Sequence, residues 1–149
     1  MENVITSVVV AGSRGFTDYA ILEEHVKDFL KGKYPHEVEI VSGGAAGADR
    51  LGEQFAKENG CFIKQMKPDW DRFGRGAGHR RNEEMAIYAD EVVVFWDGVS
   101  KGSASMREYA KKYNKRLRTV FYDTFTTMED GEPKVNFKVK YVVDNAKVE

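Results

Sequence analysis

Residue types and spacings suited to chemistry gather in four glycine-bearing stretches of this 149-residue chain. The central one is Ser42-Gly43-Gly44-Ala45-Ala46-Gly47-Ala48-Asp49. A short β-branched run ends at Ser42, and a helical pattern with Ala48, Leu51, Phe55 and Ala56 on one face begins beyond it. Strand, tight glycine loop and helix in that order leave backbone N–H groups of Gly43, Gly44 and Ala45 facing the positive end of a helix dipole, where glycines let an anion come close. Phosphate is the usual occupant. Gly12-Ser13-Arg14-Gly15 offers a hydroxyl and a guanidinium, and Arg14 can hold a phosphate or ribose by a forked, charge-assisted bond. Lys101-Gly102-Ser103, at the start of another helical pattern, forms a second anion seat, and two seats on adjacent loops suit a diphosphate or two phosphates of one ligand.

The fourth stretch, residues 67–82, contains Trp70, Arg75, His79, Arg80 and Arg81, and its proline and glycines predict a loop until about Gly78. Residues 64–81 hold six Lys or Arg against two Asp. One phosphate does not need all three of Arg75, Arg80 and Arg81; a solvated face accounts for one or two, and Arg81 is the best candidate ligand. Trp70 lies outside any periodic apolar pattern, which leaves stacking on a base, sealing a crevice, or pinning the loop to the domain. Asp49 has three uses open to it: a ribose hydroxyl, a helix cap, or a pair with Arg50. His79 has no Cys or His at metal-ligand spacing, so no metal is expected, and no cofactor either.

These loops need strands behind them. Residues 4–11 are a strongly apolar, β-branched run and 91–96 a nearly continuous apolar one, as in a strand buried on both faces, and 39–42, 61–63 and 119–122 read as shorter strands. Helical patterns lie between, one of them over Leu22, Val26, Phe29 and Leu30 after a capping Thr17 or Asp18. Alternation of this kind predicts an α/β, Rossmann-like open and mostly parallel five-stranded sheet with helices on both faces over residues 1–122. Residues 123–149 read as a C-terminal β-hairpin or strand extension, packed on the same domain or at a subunit contact. There the turn 129–133 precedes a period-two run of Val135, Phe137, Val139, Tyr141 and Val143. In such sheets ligands bind beyond the carboxyl ends of the strands, so all four stretches are expected to converge on one crevice.

A formal charge of −1 offers no bulk attraction to nucleic acid or membrane, so neither is expected as a partner. One cysteine, Cys61, and a start at Met1-Glu2-Asn3 with no basic or apolar leader predict a cytoplasmic protein without a disulfide.

The ordered motifs also carry a resemblance. Gly12-Ser13-Arg14; Val41-Ser42-Gly43-Gly44-Ala45 with Gly47-Ala48-Asp49; Pro68, Trp70 and Gly74-Arg75 through Arg81-Asn82 to Met85; and Phe95-Trp96-Asp97-Gly98 with Ser100, Gly102-Ser103 and Met106 resemble the SLOG superfamily, in its YspA-like branch, over roughly residues 5–121. The resemblance implies a nucleotide-binding Rossmann-like domain. Relatives include phosphoribohydrolases, a DNA-processing protein that binds single strands, and sensors of ADP-ribose-derived immune signals. It adds Asn82 and Asp97 to the ligand-binding set, Asn82 standing where the hydrolases have lysine. Their catalytic glutamate falls on Met106, a thioether that accepts no proton, and Glu108 lies roughly 200° around a helix from it. The expectation is therefore a binder of a phosphorylated nucleotide-derived small molecule, ADP-ribose-like or a cyclic signalling nucleotide, acting as sensor or sequestering sponge, possible antagonism of immune signalling included. Two alternatives stay open: an N-glycosidic hydrolase using Asp49, Glu53 or Asp97, and single-stranded nucleic-acid binding. The family's habit of pairing implies a homo-oligomer.

Overall fold

The computed structural model describes residues 4–149; the chain start, on which the reading of a leaderless N-terminus rests, lies outside them. Six strands form one sheet in the order β3-β2-β1-β4-β5-β6. The strands are β1 (Thr6–Gly12), β2 (Val38–Ser42), β3 (Phe62–Gln65), β4 (Glu91–Trp96), β5 (Arg116–Glu129) and β6 (Glu132–Asn145). The first five run parallel, and β6 is antiparallel to β5. Helices α1 (Tyr19–Phe29), α2 (Ala48–Asn59), α3 (Trp70–Phe73), α4 (Ala77–Tyr88) and α5 (Lys101–Lys112) connect them.

Period-two side-chain alternation divides the apolar residues of β1 and β4 between the two faces of the sheet. Val8, Val10, Val93 and Phe95 join Leu22, Val26 and Phe29 of α1 and Phe55 and Ala56 of α2 in one core. Val9, Ala11, Val92 and Val94 join Met85 and Ala86 of α4 and Met106 and Ala110 of α5 in the other. Both faces are covered, as the apolar runs predict. Asp18 caps α1, its carboxylate accepting the Ile21 N–H at 3.1 Å. Gly60 ends α2 in the left-handed conformation at φ 76°.

The sheet has six strands where five were expected, because β5 continues to Glu129, past the division after residue 122, and β6 pairs along its whole length. Asp130 and Gly131, at φ 52° and 80°, make the two-residue turn between them, the positive-φ pair that matches the twist of a hairpin. The far half of this ribbon projects beyond the other strands as an arm. At its root Phe16 packs against Phe95, Tyr122 and Phe137 at ring separations of 5.1, 4.8 and 5.4 Å. Nearby, Arg118 bonds both oxygens of Asp144 at 2.7 and 3.2 Å and reaches Asp28 of α1 at 2.8 Å.

The stretch predicted to be a loop until Gly78 is instead mostly helical. The Asp69 carboxylate accepts the Arg72 N–H at 3.1 Å and starts the single turn α3, a 3-10 turn follows over Gly74–Gly76, and α4 begins at Ala77. Glycine lowers helix propensity without forbidding a turn that a cap and a neighbouring helix support.

Candidate functional site

The strand order reverses between β1 and β4, since the chain leaves the β3 edge to resume on the other side of β1. Beyond the carboxyl ends of these strands is a cleft of about 570 Å³. Ser13, Arg14, Ala45, Asp49, Arg81, Asn82, Asp97, Gly102 and Ser103 all line it, so nine of the thirteen candidate residues converge as the topology requires.

Ser13 ties the two central loops together. Its N–H donates to the Phe95 carbonyl at 3.0 Å, and its hydroxyl accepts the Asp97 N–H at 3.3 Å and lies 3.2 Å from the Ser100 hydroxyl. The Asp97 carboxylate accepts N–H bonds from Val99 and Ser100, both at 2.8 Å, and the Ser100 hydroxyl at 2.7 Å. Burial pushes its pKa up, but the Ser100 and Val99 amides and the serine hydroxyls outweigh that and hold it below the usual carboxylate range. Asp97 is thus an ionised loop organiser.

Because Ser100, the N-cap of α5, gives its side chain to Asp97 and Ser13, the first turn of α5 has no side-chain cap. Ala104 N–H bonds to the Ser100 carbonyl, which leaves the N–H groups of Lys101, Gly102 and Ser103 as the uncapped end. Ser103, only 4% exposed, has a buried hydroxyl with no hydrogen-bond partner, and it lines the cleft. A buried hydroxyl left unpaired costs about 1–3 kcal/mol, a cost that a hydrogen-bonding group brought to it would relieve. Lys101 and Arg14, both with exposed side chains, line the same space. Asn82 braces this end of α5, its amide donating to the Gly102 carbonyl at 3.3 Å and its carbonyl oxygen accepting from Arg81 Nε at 3.0 Å.

The glycine loop departs from expectation. The Gly44 N–H donates to the Ser42 hydroxyl at 3.0 Å and the Ala45 N–H to the Asp49 carboxylate at 3.2 Å, so these two amides are committed within the protein. The protein's own carboxylate takes the place an external anion was expected to fill. Burial raises the pKa of Asp49 to about 6, although the Ala45 N–H and Arg81 pull the other way. Arg81 passes under the loop and donates to the Gly43 carbonyl at 2.8 Å. A side chain on Gly43 would meet Arg81 Cζ at 2.7 Å and the Asp49 carboxylate at 2.8 Å, so glycine here lets the guanidinium approach the loop without displacement. Gly43 is behind the cleft and Gly44 faces a separate surface hollow beside Arg50 and Lys67.

Trp70 and Arg75 do not reach the cleft. Trp70 is 54% exposed, with the far edge of its ring near Gly78. Arg75 is on the solvent side of the 3-10 turn. The ligand-binding set read from the sequence left out Ser100 and Met85, which it held only as motif residues, and four residues of the β5–β6 ribbon, Tyr122, Thr124, Val135 and Phe137. The Asp97-x-x-Ser100 spacing was a usable signal for the first. The floor of the cleft includes Met106, and Glu108 is on the surface beside Lys111 at 3.8 Å. Glu53 is held by the Ser42 hydroxyl at 2.6 Å. Among the described residues no group of three His, Cys, Asp or Glu comes together as a metal site would need, and no helix is long and apolar enough to cross a membrane.

Fold, reversal point and an uncapped helix end over a cleft define a Rossmann-like α/β protein. A profile of the YspA, cpYpsA-related SLOG family matches residues 6–73. The Gene 61 protein of Mycobacterium phage D29 is 31% identical over 111 residues, covering 70% of this chain and 88% of that one. This chain belongs to the YspA, cpYpsA-related SLOG family. Among solved structures, DNA processing protein A from Helicobacter pylori, described for its single-stranded DNA binding mode, superposes with a TM-score of 0.58 at 22% identity. The match covers 76% of this chain and 64% of that one, and what it shows is the shared fold. It also overturns one expectation. Net charge argues against a nucleic-acid partner, yet a protein of the same fold binds single-stranded DNA, so a charge of −1 over the whole chain excludes nothing of the kind.

Proposed function

We propose that the cleft binds the phosphates of a nucleotide-derived small molecule, ADP-ribose-like or a cyclic signalling nucleotide, and that the protein senses or sequesters it. The observation that supports this most is the open end of α5, where Ser103, whose buried hydroxyl has no partner, Lys101 and Arg14 line one space. Phosphate oxygens are the ligand atoms that would satisfy these donors together. Calorimetric titration with ADP-ribose, AMP and cyclic AMP tests it: saturable binding of at least one is expected, and no heat and no thermal shift with any of them overturns the proposal.

Two variants sharpen that test. Arg14→Ala removes a charge-assisted bond from an exposed side chain, so affinity falls about tenfold to a hundredfold while the melting temperature is unchanged. Ser103→Ala removes a buried hydroxyl that has no partner in the ligand-free protein. Urea denaturation should show the free fold unchanged or up to about 1 kcal/mol more stable, and titration about a tenfold loss in affinity. Loss of stability without loss of binding would make Ser103 merely structural.

The shared fold with a single-stranded DNA-binding protein favours a second reading, in which the same cleft takes one nucleotide of a strand. Binding of oligothymidylate that competes with AMP and weakens steeply with salt would support it over the first.

A further inference from the structure

The two walls of the cleft differ in chemistry. Cations and helix-end amides line one, whereas the arm contributes Tyr122, Thr124, Val135 and Phe137, none of them charged. Cross-strand pairing puts Thr124 opposite Phe137, with Val135 two residues along the same face of β6. Phe137 is fixed by its edge-on packing against Phe16 and its contact with Tyr122 at 5.6 Å, and so forms a rigid base for that face. Val135, by contrast, is 56% exposed although it lines the cleft. An exposed apolar side chain beside a packed aromatic on one strand face, with a hydroxyl on the paired strand, is a surface for a flat, mostly apolar group with polar edges. At about 570 Å³ the cleft is in the range that holds whole cofactor-like ligands and is larger than a phosphate requires.

We infer that the β5–β6 arm is the nucleobase-binding wall of this cleft, with Val135 and Phe137 covering the base face and Thr124 beside its edge. The inference rests on the phosphate-binding reading above and adds the ligand class: a nucleotide recognised through its base, in preference to a phosphosugar. The ligand's phosphates lie at the first turn of α5 and its base lies under the arm.

The test compares AMP with ribose 5-phosphate, which has the same phosphate and sugar but an anomeric hydroxyl in place of the base. The wild-type protein should bind AMP about tenfold or more tighter than ribose 5-phosphate. Val135→Ser, a change at an exposed position that leaves the core intact, should cut AMP affinity roughly threefold to fivefold, with ribose 5-phosphate held to within about twofold. Thr124→Ala should alter the ratio between AMP and inosine 5′-monophosphate, which differ only at the base edge. Equal wild-type affinity for AMP and ribose 5-phosphate, or equal losses of both in Val135→Ser, overturns the base wall and leaves phosphate binding standing. Binding of neither compound, with ADP-ribose and cyclic AMP failing as well, overturns both readings.

Discussion

Replacing Gly47 with alanine is expected to cost about 3 kcal/mol of stability and to lower the melting temperature by roughly 10 °C. Gly47 is the N-cap of α2 with φ 81° and ψ −132°, a backbone region that residues with a side chain rarely enter. A Cβ there would also run into the carbonyl oxygens of Ser13 and Arg14. Those are backbone atoms, and the Ser13 carbonyl is already used by the Phe16 and Ala48 amides, so the obstruction cannot rotate away. Relief requires moving the loop after β1, and ligand binding should fall with stability. Gly102→Ala is the control: its φ is not positive and nothing lies within 4 Å of the added carbon. Thermal denaturation of both variants checks the argument. A Gly47→Ala protein melting within about 2 °C of the wild type would refute it.

Asp49→Asn is expected to stabilise the protein by about 3 kcal/mol at pH 8 and by little near pH 4. The sign follows from burial. Asp49 has a folded-state pKa of about 6, above the ordinary 3.8. The folded protein therefore holds a proton that the unfolded chain releases between those values, and stability is lost as pH rises from about 4 through 6. Above pH 6 the protein bears the full cost of an ionised carboxylate in a desolvated place, which Arg81 and the Ala45 amide offset only in part. Asparagine keeps an acceptor for the Ala45 N–H without the charge. Urea denaturation of both proteins at pH 4, 6 and 8 checks it: a stability difference independent of pH would mean Asp49 is not the titrating group.

The mostly parallel sheet and the loops after β1 and β4 could be read directly, because a continuous apolar run that stops at a glycine loop fits a strand buried on both faces. The helix at residues 70–76 could not, since a single turn depends on one cap, Asp69, and on a neighbouring helix, and the glycines around it argue locally for a loop. Backbone amides posed the same difficulty in the Gly43–Gly44 loop. A glycine-rich turn tells that donors are present, whereas whether a side chain from the next helix has already claimed them depends on where Asp49 points. The arm was half legible. Period two marked β6 as a strand and the turn residues marked its start, but which face meets the cleft depends on register with β5, and the bulge between Phe121 and Tyr122 resets that register.

The knot of Ser13, Asp97 and Ser100 has a mechanical consequence. The loops after β1 and β4 are fastened to each other through a backbone amide, two hydroxyls and a carboxylate, on strands that are already neighbours in the sheet. Neither loop can swing without dragging the other, so this side of the cleft is cast as one piece, a mould and not a jaw.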